Sequence, residues 1–518
     1  MSGWKKLPVE LQWSILDCVE DLLLEQPAEQ AICSELSLVS REWQYRFQRY
    51  CFHTVVLDQH RLDDFDKIFS SNTLLRDHVR TIRLHVKLAE YGYDDCQEHE
   101  SLKETCQNSQ TFMLALLKLT KIMSNWPAQR RRGITLDLGA YSPSDNQHGL
   151  TDFRLSKDYP TRYAASADMY ERHRKEVLAK SKQDGVAERC PGWTRIYCGR
   201  NLEKNARERL LSSLVLVQMP ADHPDNGIGL DRSILFASAP VFDELWISRR
   251  CYRHISPGVL QQLIRQGLPG LRHFRHEMWT YPDIANVTRF RNDYEKTIRA
   301  FPQCLDTFSF FHEHSEVLPV PRGTTFGRVG LGLALAQLAT RLSVFSAAGI
   351  IEARDFLEPS SSTWQTGAYP RLEQLTLTSQ SLDYRRHTFS SFDVAELLLM
   401  AAKMAFLKMP SLRRLDIWSA RDGPFPKDSF LVSFSVREGL PQIECSSSID
   451  LWWWDFQGYE DALDTVKQRW DLLEPQKPLH IFHAPPDPER QGRNFMKHPA
   501  LCNVLHPESR EQMLLEDQ

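Results

Sequence analysis

The sequence has almost no net charge and no long apolar run. Its 63 lysines and arginines nearly balance 67 aspartates and glutamates, which leaves a formal net charge of −4. A charge this small gives no general attraction to nucleic acid or to an anionic membrane. No uncharged stretch reaches the roughly 18 residues that a membrane-spanning helix needs, and the first residues do not form an apolar signal segment. The composition therefore predicts a cytoplasmic or nuclear protein without nucleic-acid or membrane partners.

Signatures of metal and cofactor chemistry are also scarce. The 11 cysteines form no CxxC pair, so neither a zinc ribbon nor a disulfide framework is indicated, and no GxSxG or HExxH motif is present. His312-Glu313-His314 places two histidines on one strand face without a recognisable third ligand. Gly327-x-x-Gly330-x-Gly332 lacks the Lys-Ser/Thr pair of a phosphate-binding loop, which favours helix packing. We predict no catalytic residue, metal or cofactor. An enzyme with a dispersed active site is the alternative.

The first residues carry the pattern of three short amphipathic helices. Leu7-Pro8 suits the start of a helix, since proline has the required φ and its missing N–H would be unpaired there. The residue before Pro27 is disfavoured in a helix, so the first helix should end there. Ser40 can cap a third helix. The apolar positions recur at helical spacing: Leu11, Ile15, Val19 and Leu22, then Ile32, Leu36 and Val39, then Trp43, Phe47 and Tyr50.

This order of motifs resembles the F-box family. The resemblance rests on Leu7-Pro8-x-Glu10-Leu11, on Ile15-Leu16 and on Leu36-x-Leu38-Val39-Ser40-Arg41-Glu42-Trp43, and it covers roughly a tenth of the chain. It implies docking to a Skp-type adaptor that links to a cullin scaffold. The positions that match the family's docking residues are Leu7, Pro8, Leu11, Ile15, Leu16, Val39 and Trp43. The stretch from Val19 to Ala31 is longer and more acidic than usual, and an ordinary three-helix capping unit is the alternative.

After the strand-like Thr54 to Leu57, one apolar motif recurs at irregular intervals. Its copies begin at Val79, Phe242, Leu271, Leu305, Leu342, Leu372 and Leu412, and the clearest read Phe242-x-x-Leu245-x-Ile247 and Leu372-x-x-Leu375-x-Leu377. This is the strand signature of leucine-rich repeats, and helical stretches separate the copies. The chain is similar to fungal F-box proteins with an irregular leucine-rich-repeat-like region. An α/β domain with leucine-rich parallel strands is the alternative.

We therefore predict a mixed α/β fold in three parts. Residues 1–57 form the F-box-like module and residues 58–445 form the repeat-like strand–helix array, interrupted by an excursion at 139–200. Residues 446–518 form an aromatic cap and a proline-rich tail. The cap contains Trp452-Trp453-Trp454 and a helix with Tyr459, Leu463, Val466 and Trp470 on one face.

Strand alternation also predicts a surface for a target protein. It buries Leu245, Phe308, Leu375 and Leu415 and turns the intervening side chains to the opposite face of the sheet. The candidate substrate-binding residues on that face are Trp246, Ser248, Ser309, Phe311, Thr376, Thr378, Asp416 and Trp418. A helix or loop lying over the face is the alternative. The resulting interpretation is a non-catalytic adaptor that recruits a protein substrate to a ubiquitin ligase, with a ligase-independent interaction scaffold as a further possibility.

Overall fold

A computed structural model describes the fold of the chain. It covers residues 4–25, 30–127, 133–147, 193–196, 199–216, 235–279, 284–313, 329–358, 369–382, 390–420, 429–447, 457–483 and 504–510. Two expected features, the Trp452–Trp454 cluster and most of the 139–200 excursion, lie outside these residues.

Three helices form the N-terminal module, as the sequence predicts. They are α1 (Val9–Glu25), α2 (Gln30–Ser37) and α3 (Arg41–Cys51). The Ser40 hydroxyl accepts a hydrogen bond from the Trp43 N–H at 3.4 Å and so caps α3. Leu16, Trp43 and Phe47 form a buried cluster that is separate from the main core. Arg46 holds α3 against α1 through an ion pair with Glu20 at 2.8 Å.

A large sheet with twelve strands dominates the described part of the chain. The strands are β1 (Thr54–Leu57), β2 (Thr81–Lys87), β3 (Ile134–Tyr141), β4 (Phe242–Ile247), β5 (His273–Trp279), β6 (Thr307–Glu313), β7 (Val344–Ala348), β8 (Gln374–Thr378), β9 (Arg414–Ala420), β10 (Ser429–Arg437), β11 (Leu440–Ser447) and β12 (His480–His483). Within this sheet, each strand lies beside the strand of the sheet that follows it in the chain. All pairs from β1 to β9 are parallel, β9–β10 and β10–β11 are antiparallel, and β11–β12 is parallel.

Helices connect the strands, and most of the described ones pack on one face of the sheet. They are α4 (Leu62–Ser71), α5 (Thr73–Arg76), α6 (Leu102–Ser124), α7 (Pro143–Gln147), α8 (Lys204–Leu210), α9 (Pro257–Gln262), α10 (Ile284–Ile298), α11 (Val329–Ala339), α12 (Ala353–Leu357), α13 (Ser391–Lys403) and α14 (Gln457–Leu473). The main core lies between them and the sheet. The mixed α/β class and the strand–helix array are thus confirmed.

The register of the sheet explains the recurrent motif. The central apolar residues of the copies lie opposite one another on neighbouring strands, and Leu136 of β3 joins them. They form one continuous buried row: Ile82, Leu136, Leu245, Phe274, Phe308, Phe345, Leu375 and Leu415. The rings of Phe274, Phe308 and Phe345 stack in succession with centroids 5.4 Å apart. Cross-strand apolar pairs of this kind fix the register, because a slip by one residue would turn the whole row to the other face.

Some expected boundaries need correction. The module was expected to end at residue 57, but Thr54–Leu57 already pairs with β2 and belongs to the sheet. The excursion was expected from residue 139, but residues 139–141 continue β3 and Pro143–Gln147 forms α7. The array was expected to end at 445, inside β11. The helix predicted after the tryptophan cluster is confirmed as α14, whose Tyr459, Leu463, Val466 and Trp470 join the main core.

Candidate partner-binding surfaces

The N-terminal module exposes large apolar side chains. In its described part more of them are exposed than buried: Val9, Leu11, Trp13, Ile15, Ile32, Leu38, Val39 and Tyr45 are all exposed. Leu11 and Ile15 lie one turn apart on α1 and are 51% and 39% exposed. Single exposed apolar residues are normal, but such a concentration on about fifty residues is typical of an interaction surface.

The predicted adaptor-binding residues divide into two groups. Leu11, Ile15, Val39 and Pro8 are exposed and Leu7 is half-buried, so a partner can reach them. Leu16 and Trp43 are only 4% and 8% exposed. Their side chains face the interior of the three-helix module, where the same helical spacing places them against Phe47. These two residues therefore offer little surface to a partner and pack inside the module, and their contact with an adaptor stays a prediction.

The second surface is the sheet face opposite the helices, which we call the open face. Its central row alternates with the buried apolar row and is mostly polar. In register across the sheet it contains Arg83, Asp137, Trp246, Arg275, Ser309, Ser346, Thr376, Asp416 and Ser433. The predicted orientation of the candidate substrate-binding residues is correct in this respect.

A segment from the far end of the chain lies on this face. This segment comprises residues 504–510, and we call it the 504–510 segment. It contacts strands from β2 to β10. Val504 and Leu505 pack with Phe311, Ala348, Trp418 and Leu431 in a small apolar cluster. The Ser309 hydroxyl donates a hydrogen bond to the Val504 carbonyl oxygen at 2.6 Å. The His506 ring stacks on the Trp246 ring with centroids 3.7 Å apart.

The segment also makes charged contacts. The Glu277 carboxylate accepts hydrogen bonds from the His506 N–H at 2.7 Å and from the Ser509 hydroxyl at 2.5 Å. The Glu508 carboxylate pairs with the Arg83 guanidinium at 2.5 Å and lies 3.9 Å from that of Arg250. Hydrogen bonds to ionised groups are shorter and stronger than neutral ones, so these contacts give the segment a defined position.

The segment changes the interpretation of the predicted substrate-binding set. Trp246 is 1% exposed and Trp418 is 5% exposed, where exposed anchors were expected. Ser248, Ser309, Phe311, Thr376 and Asp416 are also buried, while Thr378 is half-buried and accepts a hydrogen bond from the Gly349 N–H at 2.8 Å. The expectation of an exposed face is wrong, and the 504–510 segment contacts four of the eight residues, Trp246, Ser309, Phe311 and Trp418. Nothing in the local strand pattern signals a cover that lies so far along the chain.

Burial perturbs the acidic groups of the open face. It raises the pKa of Glu277, although the hydrogen bonds from Ser509 and His506 act in the opposite direction. Burial would also raise the pKa of Asp137, but His85 and Arg83, at 3.4 and 3.3 Å, lower it below its ordinary value. The pKa of Asp416 rises to about 6 through burial, despite hydrogen bonds from Arg414 and Ser433.

Residues 300–505 match a family described only as a family of unknown function (DUF6546). No curated protein matches the chain. The match covers less than half of the chain, begins just before β6 and ends within the 504–510 segment. All six residues of the apolar cluster beneath Val504 and Leu505 fall inside it, whereas the N-terminal module lies outside it.

A buried ionic cluster lies at the carboxyl ends of β2, β3 and β4. The Arg253 guanidinium contacts Glu100 at 2.5 Å and Asp145 at 3.1 Å and donates to the Ser212 hydroxyl at 2.6 Å. Asp145 also accepts a hydrogen bond from the Tyr91 hydroxyl at 2.8 Å. These contacts join loops that are distant in sequence, and every named group has a partner, as a structural cluster requires. Sequence reasoning could not predict this cluster, because its members share no motif.

The weak motifs noted in the sequence have structural explanations where they are described. His312 is buried and its Nδ1 lies 3.2 Å from the Gly349 carbonyl oxygen, while His314 lies outside the described residues. Gly332 lies in α11, and a Cβ there would come within 2.5 Å of the Asp355 carbonyl oxygen, which confirms the helix-packing interpretation. Among the residues described, no group of three metal-ligating side chains occurs, and no helix is long and apolar enough to cross a membrane.

Proposed function

We propose that this protein is a substrate-recruiting adaptor, an F-box protein of a cullin-type ubiquitin ligase. The N-terminal module docks a Skp-type adaptor and the strand–helix array carries the target protein. The proposal places the protein in the cytoplasm or the nucleus and assigns catalysis to its partners. The observation that carries it is the three-helix module with its own small core, which leaves Leu11, Ile15 and Val39 exposed at positions that match the family's docking residues.

The physical basis of docking is the burial of these side chains. Removing one large apolar side chain from water contributes about 1.5–3 kcal/mol, so a few such anchors dominate an interface. Their exposure in the isolated chain is unfavourable unless a partner covers them. The separate core supports a module that keeps its shape without help from the sheet, as a docking element needs.

Neighbouring residues on α1 provide a sharp test. Ile15→Asp should reduce co-purification with a Skp-type adaptor at least tenfold, because a charge would be buried unpaired in the interface. Leu11→Asp should behave in the same way. Both variants should keep the circular dichroism spectrum and melting temperature of the unmodified chain, since both side chains are exposed.

Two controls separate docking from folding. Leu16→Asp buries a charge inside the module and should unfold it, with loss of helical signal as well as docking. Leu102→Asp makes the same substitution at an exposed leucine outside the module and should leave docking unchanged. Retained adaptor binding by folded Ile15→Asp and Leu11→Asp would refute the proposed interface.

Among the residues that the structure describes, the perturbed acidic groups of the open face are the feature that favours an enzyme instead. Glu277 and Asp137 are fully buried and their pKa values depart from the ordinary range, as is common for catalytic carboxyl groups. However, structural ion pairs shift pKa values as well, and the closest partners of Glu277 come from the 504–510 segment. We therefore interpret these groups as part of a docking site.

A further inference from the structure

The 504–510 segment contacts the open face in the manner of a bound peptide. Its side chains use four kinds of contact in turn: an apolar pair, a stacked imidazole, a carboxylate between two guanidinium groups and a hydroxyl on a buried carboxylate. None of its residues joins the main core on the helix side of the sheet. The helices and strands of the array therefore form their core without it.

The segment also forms one helical turn through contacts within itself. The Arg510 N–H donates to the His506 carbonyl oxygen at 2.9 Å, which closes one helical turn, and Pro507 stands at the start of that turn. The Glu508 N–H donates to Nδ1 of His506 at 3.3 Å, so the imidazole caps the turn from within the segment. A short peptide that forms its own turn loses less conformational entropy when it binds.

The fit between the segment and the site is incomplete. Among the described residues, Nε1 of Trp246 and Nη2 of Arg250 are buried without a hydrogen-bond partner. Buried polar groups in folded proteins are nearly always hydrogen-bonded, and exceptions need an explanation. A ligand that brings an acceptor to Nε1 of Trp246, and one closer to Nη2 of Arg250 than the Glu508 carboxylate at 3.9 Å, would make hydrogen bonds that the segment does not make.

We propose that the open face between β2 and β10 is a peptide-recognition site that the 504–510 segment occupies in competition with a partner. The partner segment has the same chemistry: an apolar pair, then an imidazole or aromatic ring, then a carboxylate two residues later and a hydroxyl after it. The assignment of this peptide to the recruited target protein rests on the function proposed above. The existence of the site does not, because it depends only on contacts within the open face.

The tether determines how the competition is measured. A segment of the same chain acts at an effective concentration in the millimolar range, so a free peptide binds the unmodified chain weakly. Glu508→Lys places a third positive charge against Arg83 and Arg250 and so releases the segment. The site itself is unchanged by this substitution and becomes available to a peptide in trans.

The probe is a labelled synthetic peptide with the sequence of residues 503–511, Asn-Val-Leu-His-Pro-Glu-Ser-Arg-Glu, titrated with the full-length chain by fluorescence anisotropy. Full-length Glu508→Lys should bind it at least tenfold more tightly than the unmodified chain. Glu460→Lys makes the same charge change at an exposed residue of α14 on the helix side and should bind like the unmodified chain. A peptide that carries Glu508→Lys should bind no variant.

Two results would overturn the proposal. One is a folded Glu508→Lys variant that binds the peptide no better than Glu460→Lys. The other is a combination of two observations. The Glu508→Lys variant fails to fold, and amide exchange in residues 504–510 of the unmodified chain does not become faster when unlabelled peptide is added at millimolar concentration. Both readouts are independent of Skp-type adaptor co-purification, so failure of the site and failure of the adaptor function can be distinguished.

Discussion

Two histidines lie in the main body of the protein where a charged imidazole is strongly disfavoured. His276 is in β5 beside Tyr294 and Phe310, and burial lowers its pKa to about 3, with a smaller contribution from His254. Burial lowers the pKa of His254 to about 4. Both are therefore neutral in the folded protein near pH 7, and Nδ1 of His276 has no hydrogen-bond partner among the described residues.

The sign of the pH effect follows from these directions. Because the folded-state pKa lies below the unfolded value of about 6.5, the unfolded chain binds more protons as pH falls below 6.5, and stability is lost there. At pH 5, each buried histidine should cost about 2 kcal/mol, from 1.36 kcal/mol per pH unit. His276→Leu should abolish the part of this stability loss that is due to His276. At pH 7.5 the substitution should lower the free energy of unfolding only slightly, because it also eliminates an unpaired polar atom.

Urea denaturation at pH 7.5 and at pH 5.0 measures this effect. The stability difference between the two pH values should shrink by about 2 kcal/mol in His276→Leu. His60→Leu removes an exposed histidine and serves as the matched control. If the stability difference between pH 7.5 and pH 5.0 is the same in His276→Leu as in the unmodified chain, the interpretation of His276 as a neutral buried histidine is wrong.

The strands show how far sequence reasoning reaches at the scale of elements. Every copy of the recurrent motif falls on a strand of the sheet, because the motif combines the alternation of a strand with an apolar residue at its start or just before it. The motif does not identify β3, because Gly133 occupies the first position, where other copies have an apolar residue such as Phe242 or Leu372. The β10–β11 hairpin does not follow the repeat. The cover on the open face could not be predicted, because Arg83 and Glu508 are 425 positions apart and no local pattern relates them.

The turn between β10 and β11 offers an element-scale prediction. Glu438 and Gly439 both have positive φ, 53° and 80°, as a two-residue type I′ hairpin requires. Glutamate is disfavoured in this conformation, whereas asparagine is among the residues that adopt it most readily. Glu438→Asn should therefore stabilise the protein by about 0.5–1 kcal/mol, and Glu438→Val should destabilise it. The urea midpoint of each variant measures its stability. A lower midpoint for Glu438→Asn would show that contacts of the Glu438 side chain stabilise the protein more than the favourable backbone conformation of asparagine does.

At the scale of the whole molecule, two kinds of connection operate. Successive strands are neighbours, so most contacts of each strand–helix unit are with the units on either side, as in repeat proteins. The 504–510 segment differs because it joins strands that are otherwise far apart, from β2 to β10. The N-terminal module stands at the start of this array with its own buried cluster. The molecule should therefore open in parts and not as one cooperative unit.

Matched cavities in the two cores test this separation. Leu16→Ala should cost the module about 2–5 kcal/mol, while Phe308→Ala should cost the array about 3–5 kcal/mol, because both side chains are buried. Hydrogen exchange measured by mass spectrometry locates the damage. Leu16→Ala should speed exchange in α1 and α3 and leave β5 to β7 unchanged, since its cluster contains no residue of the main core. Phe308→Ala should have the opposite pattern, because its ring stacks on Phe274 and Phe345. Faster exchange in both regions from either substitution would mean that the module and the array share one cooperative core, and a docking element that keeps its shape independently of the array would then be ruled out.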